Sequence, residues 1–221
     1  MSMTLQTVEL GILGTGAVTP AGWSAKDFIS CCIEKRSLAS TEPARTHGVA
    51  RGWKCRTRTV PGPAPADLLP KSPRLRRASP LTKFEVAASV QALTSAGLRA
   101  DEIGARLGII QVLQNGCVQY SVRFFAELQV QPELPSPLIF PETVFNAPAS
   151  HLAQCLGASG MVTTLVGEPN HLVEAVFTAR QWMQEGLIDY CLVVTSEEMD
   201  WLTVEGLSYY HPALIGSEGA A

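Results

Sequence analysis

The sequence predicts an α/β fold with a mostly parallel sheet, and three observations carry that expectation. Short β-rich apolar runs recur at residues 8–13, 107–113, 161–166 and 190–195. The stretches between them place apolar residues at helical spacing behind recognisable caps. Gly and Pro punctuate the junctions, and near-continuous apolar strands separated by helices are what a sheet covered on both faces requires.

The first run, Val8 to Leu13, stops at Gly14-Thr15-Gly16, and Thr19-Pro20-Ala21-Gly22 has loop chemistry. A helix is expected from Ser24, whose hydroxyl caps free amides while Asp27 returns the bond. Phe28, Cys31 and Cys32 are expected on its buried face, and its end near Arg36. The second helix takes Ser79 as N-cap, Pro80 as first residue and Gly97 as stop, with Phe84, Ala87, Ala88 and Leu93 turned inward. Leu107 to Leu113 reads as a buried strand and 118–128 as a helix, followed by a loop through Pro132, Pro135, Pro137 and Pro141. Further helices are expected over 149–156 and 172–183, the latter closed by Gly186, with strands at 161–166 and 190–195.

A chain of 221 residues that is 46% hydrophobic can bury a sizeable core, which excludes a disordered protein. No apolar run reaches the roughly 18 residues of a membrane span. The first basic residue is Lys26, so no charged leader is expected, and six cysteines without a C-x-x-C spacing read as reduced thiols. Both point to the cytoplasm. Charged residues make up 17% of the chain, below the roughly 25% of typical soluble domains, which predicts an oligomer interface.

Ten of the 17 lysines and arginines fall in residues 45–83 with a single acid, Asp67, so a basic, Pro-rich loop is expected over about 45–80. An acidic partner and plain solvation both account for such a loop. Nucleic acid is not expected, because only Trp53 and Phe84 are nearby aromatics and the formal net charge is -3.

Gly14-Thr15-Gly16-Ala17-Val18-Thr19 lacks the third glycine of a dinucleotide loop, and Gly157-Ala158-Ser159-Gly160 lacks the nucleophile-elbow spacing. His151 and Cys155 lie one helical turn apart without a third ligand, so no metal and no other cofactor is expected. Glu197, Glu198 and Asp200 follow the last strand, where α/β proteins place functional side chains. They form either an acid/base pair or a polar strand exit, and no partner group is identifiable. His47 and His211 sit in loops without companions for a triad.

Five segments, in order, resemble the N-terminal half of the β-ketoacyl synthase family, which has the thiolase-like fold. They are the opening strand and turn Gly11-Ile12-Leu13-Gly14-Thr15-Gly16 to Thr19-Pro20-Ala21-Gly22, Arg76-Arg77 with the Phe84 helix, Phe140-Pro141-Glu142-Thr143 to Asn146 and Pro148, Leu187 to Val194, and Ser217-Glu218-Gly219-Ala220. The resemblance implies a layered α/β fold in which 1–221 is the N-terminal domain, with a mostly parallel mixed sheet flanked by helices and the C-terminal half absent.

The family's chemistry needs a cysteine at the amino end of a buried helix, where dipole and backbone amides activate the thiol and build an oxyanion hole. Counted back from Gly186, that position falls on Pro169, or on Glu168 in the adjacent register, and neither carries an acyl thioester. Pro169 is expected as the first residue of the helix. Cys155 and Cys191 belong to the preceding helix and the following strand. The family's catalytic histidines lie in the other half, and His171 and His211 do not match them, so no catalytic residue is assigned.

In this the chain resembles the cysteine-less chain-length-factor subunits of type II polyketide and aryl-polyene systems, which pair with an active ketosynthase. The resemblance implies that the helix over 115–128 crosses a dimer interface and bounds the partner's acyl tunnel. Val118, Val122, Phe124 and Phe125 are its candidate wall residues, with ordinary core packing as the alternative. Thr164 falls on the interface strand, and Arg74, Arg76 and Arg77 are candidates to dock acyl carrier protein. The implied partners are an active ketosynthase or a second copy, together with acyl carrier protein. Two other readings stay open: the first half of a complete condensing enzyme of that family, and an interaction module without an acyl-chain role.

Overall fold

In the computed structural model, which describes residues 9–45, 55–133, 135–168, 170–210 and 215–221, the capping signals of the sequence become helix starts. Val8, His47, Trp53, Pro169 and His211 lie outside the described residues. Helix α1 is Ala25–Ile33, and the Ser24 hydroxyl accepts from Asp27 N–H at 3.1 Å while donating to the Asp27 carboxylate at 2.6 Å. Of its three expected inward residues only Cys31 is buried; Phe28 and Cys32 instead line an open cavity of about 630 Å³. Helix α2 is Pro80–Ser95, capped by Ser79 Oγ on Thr82 N–H at 3.2 Å and followed by Gly97 at φ 67°. Its Leu81, Phe84, Val86, Ala87 and Ala88 are all buried.

The main sheet has the order β3-β2-β4-β6, formed by β2 (Leu107–Leu113), β3 (Val162–Val166), β4 (Tyr190–Glu197) and β6 (Gly219–Ala220). Strand β2 runs parallel to β3 and to β4, with Gln111 opposite Thr164 on one side and Val194 on the other, and β6 is antiparallel to β4. The sheet is therefore mixed and mostly parallel. Central β2 is buried along its whole length. Strand β3, an edge strand, is not: both its ends are exposed.

Helices cover both faces. On one side α2 and α5 (Ala147–Leu156) meet the sheet through Val86, Leu93, Leu107, Ile109, Leu152 and Val194. On the other, α6 (His171–Gln184) sets Ala175 and Ala179 against Ile110 and Val112. Each fully buried Leu or Ile stabilises by roughly 1.5–3 kcal/mol. Helix α3 (Ala100–Ile103) leads into β2, α4 (Val118–Val130) follows it, and α7 (Trp201–Ser208) follows β4.

Three expectations need correction. The run at 9–13 is not a strand: Val18 exchanges backbone bonds with Ala220 at 2.8 and 2.9 Å, and the residues before it find no ladder partner among the described residues. Leu10, Ile12 and Leu13 are consequently exposed. The residues that follow, 14–17, lie along α2, with Thr15 N–H donating to Ser95 Oγ at 2.9 Å. Gly14 and Gly16 stand so close to α2 that a Cβ would strike the carbonyls of Ala92 and Ala88, which is the physical reason for this glycine pair. The basic loop, second, is not wholly irregular: β1 (Arg56–Arg58) pairs in parallel with β5 (Ile215–Ser217). Third, α6 begins at His171, beyond the position expected for a Pro169 start, and Asn170 makes no side-chain cap bond.

Helix α1 ends through Lys35 at φ 51°, the one non-glycine residue in the left-handed region among those described. That conformation costs an L-residue roughly 1–2 kcal/mol. Lys35→Gly is expected to raise stability by roughly 0.5–1 kcal/mol, seen as a Tm rise of a few degrees. A lowered Tm would show that the lysine side chain contributes more than its backbone costs.

Candidate functional site

The strand exits carry a row of carboxylates. Glu197 accepts from Gln114 N–H and from the Asn115 amide and side chain at 3.3 and 3.0 Å. Glu198, fully buried, accepts from Leu81 N–H at 3.2 Å and Gln119 N–H at 2.8 Å. Glu218 accepts from Val60 N–H at 3.0 Å and Met199 N–H at 3.4 Å, and Asp200 caps α7 through Leu202 N–H at 2.9 Å. Burial raises Glu197 and Glu218 against the pull of these bonds and pushes Glu198 up to about 7. Each carboxylate accepts from at least one backbone amide, an arrangement in keeping with a polar strand exit.

A second buried acid was not singled out in the sequence. Glu85 of α2 takes Gln111 Nε2–H at 2.7 Å and the Ser196 hydroxyl at 3.1 Å on one oxygen, and Thr164 donates to Gln111 Oε1 at 3.2 Å. Burial pushes Glu85 up to about 8. The only signals were a glutamate on the inward face of a helix and one glutamine inside an apolar strand. Thr164, an interface candidate, thus joins a polar seam that crosses three strands of the sheet.

Cys117, the N-cap residue of α4, lies 3.4 Å from Ser79 Oγ, and burial pushes its thiol up to about 12, as it does that of Cys191. Burial also raises Cys155. His151 is held through Nε2 by both oxygens of Glu142 at 3.0 Å. No group of three His, Cys, Asp or Glu among the described residues is placed to hold a metal. At the β3–α6 turn Glu168 is exposed, and His171 Nδ1–H donates to its carbonyl at 3.0 Å.

The wall candidates separate by burial. Val118 is buried, Val122 and Phe124 are half-buried, and Phe125 is 61% exposed. Helix α4 packs on a short 3-10 turn, Phe140–Glu142, so that the Phe124 ring lies 5.5 Å from Phe140 and 6.1 Å from Phe125. Phe140 was not among the sequence candidates. The arginine candidates sit on a turn closed by Arg77 and Ala78 N–H on the Arg74 carbonyl at 2.9 and 3.0 Å. Leu75 and Ala78 anchor that turn in the core, leaving Arg74, Arg76 and Arg77 exposed.

The fold thus sets a mostly parallel sheet between helices, with the β3–α6 turn beyond its edge strand and carboxylates at the exit of β4. The chain belongs to the β-ketoacyl synthase family: it matches the family's N-terminal domain over residues 9–215. No curated protein matches it. Among solved structures, the ishigamide ketosynthase/chain length factor is similar at TM-score 0.75 and 20% identity, over 95% of this chain and 60% of that one. A type II PKS ketosynthase bound to the hexaketide, in complex with its acyl-carrier protein, gives TM-score 0.71 and 20% identity over 89% and 53%. A β-ketoacyl synthase from Burkholderia phymatum gives 0.73 and 19% over 95% and 57%. The likeness is one of fold, thiolase-like as expected, and the chain spans 53% to 60% of these chains. No helix among the described residues is long and apolar enough to cross a membrane.

Proposed function

We propose that the chain is a ketosynthase-like subunit without condensing activity, which pairs with an active ketosynthase of a type II system and shapes acyl chain length. In this reading residues 1–221 act as the N-terminal domain of that subunit. The observation that carries it is the β3–α6 turn, Val166-Gly167-Glu168-Pro169-Asn170, which has no thiol. Cys117, Cys155 and Cys191 lie elsewhere, and burial raises all three thiols, against the lowered pKa a nucleophile needs. Pairing is supported by the open edge of β3, where Val162 and Val166 are 42% and 49% exposed, since an unpaired apolar edge recruits another chain. The exposed arginine turn supports docking of an acidic acyl carrier protein.

Co-expression with a cysteine-bearing ketosynthase and its carrier protein tests this. A stable complex is expected, and Phe124→Ala and Phe125→Ala are expected to shift the product distribution to longer chains. An unchanged distribution with the complex intact would overturn the chain-length role. Absence of any complex would overturn the pairing.

A further inference from the structure

Glu198 ties together two elements that the proposed function needs. Its Oε2 accepts from Leu81 N–H at 3.2 Å and its Oε1 from Gln119 N–H at 2.8 Å. Leu81 and Gln119 are the second residues of α2 and α4, so one carboxylate caps two helices. The N-cap residues of the same helices, Ser79 and Cys117, touch at 3.4 Å. Ser79 directly follows the turn that exposes Arg74, Arg76 and Arg77. From the other side, the Tyr120 hydroxyl of α4 donates to the Arg77 carbonyl. The connections form a closed loop running from the arginine turn to the α2 cap, Glu198, the first turn of α4, Tyr120, and back to Arg77.

A fully buried carboxylate is an expensive cap, and a hydroxyl or an amide is the usual choice. Here both oxygens face N–H donors, so both must accept. Glutamine cannot do that: its carbonyl would serve one helix while its NH2 met the other helix's N–H head-on. The double cap requires a carboxylate.

We propose that Glu198 is a positioning residue that locks α4, with Phe124 and Phe125, to the arginine turn, so that carrier docking and the acyl-lining helix respond as one body. This rests on the carrier-docking and wall roles proposed above. Docking force on Arg74, Arg76 or Arg77 reaches α2 through Ser79 and α4 through Arg77, and Glu198 keeps the two helix starts from parting.

The full chain labelled with 4-fluorophenylalanine, with Phe124 and Phe125 assigned by single substitution, is titrated with the acyl carrier protein of a type II polyketide system. In the wild type both fluorine signals are expected to shift with the midpoint of binding. In Glu198→Gln, binding is expected within about two-fold of wild type while the shifts fall by half or more. Glu198→Asp, which keeps two acceptors, restores part of the shift, a rescue that simple packing would not show. Tyr120→Phe removes the second strut and lowers the shift without altering the cap, and it decides the matter if Glu198→Gln does not fold. Wild-type shifts in a Glu198→Gln or Tyr120→Phe chain that binds carrier would overturn the coupling and leave the proposed function standing. No binding by the wild type would overturn the docking role and the coupling with it.

Discussion

Glu85→Gln is expected to stabilise the protein strongly at pH 8 and hardly at all below pH 4.5. The Glu85 carboxyl is fully buried, has Gln111 and Ser196 as donors to one oxygen, and leaves Oε1 without a hydrogen-bond partner. Burial therefore outweighs the two bonds and raises its pKa from 4.5 to about 8. Between these values the folded state holds a proton that the unfolded state has released, so the group's contribution is fully present below pH 4.5 and is lost as pH rises through about 8. At about 1.4 kcal/mol per pKa unit, the loss amounts to roughly 4 kcal/mol across that window. Glutamine keeps the accepting oxygen, places an uncharged amide nitrogen where the acid's hydroxyl sits, and does not titrate. Urea midpoints at pH 4.5, 6, 7 and 8 measure the effect: the gap between variant and wild type should widen with pH. A constant gap would show that Glu85 is not held neutral.

Gly16→Ala is expected to destabilise by roughly 1–3 kcal/mol, a Tm fall of some 2–4 °C for each kcal/mol. The added methyl would meet the Ala88 carbonyl and the Gln91 Cβ, on a helix fixed by its own hydrogen bonds and by the sheet beneath it. Relief requires lifting residues 14–17 from α2, which breaks the bonds of Thr15 to Ser95 at 2.9 and 3.1 Å and of Gln91 Nε2 to the Ala17 carbonyl at 3.3 Å. Thermal denaturation reads this directly. An unchanged Tm would mean that the segment is not held against α2.

The site was partly legible before the fold. The missing thiol in Gly167-Glu168-Pro169-Asn170 and the arginines at 74, 76 and 77 are properties of sequence, because they concern which atoms are present. The aromatic cluster was half legible: Phe124 and Phe125 are neighbours on one helix, whereas Phe140 joins them from a separate turn. The roles of Glu85, Glu197 and Glu198 were not legible. A carboxylate's partners decide whether it titrates, caps or catalyses, and here they lie 26, 83 and 117 positions away in Gln111, Gln114 and Leu81.

By itself the sequence determined five of the helices and the inner strands, because caps, stops and apolar periodicity act within a turn or two of chain; the short α3 and α7 were not foreseen. Ser24, Ser79 with Pro80, Gly97 and Gly186 mark ends that the fold keeps to within one or two residues. Only the tertiary structure decided what those signals were worth at long range. The β-rich run at 9–13 failed as a strand because a strand needs a neighbour's ladder, and β6 supplies one only as far as Val18. Strand β3 kept its form but stayed at an edge, with exposed valines that a central position would have buried. Glu198 became a shared cap because β4 delivers it between two helix starts. Backbone preference is local, whereas burial, pairing and pKa belong to whatever the fold brings alongside.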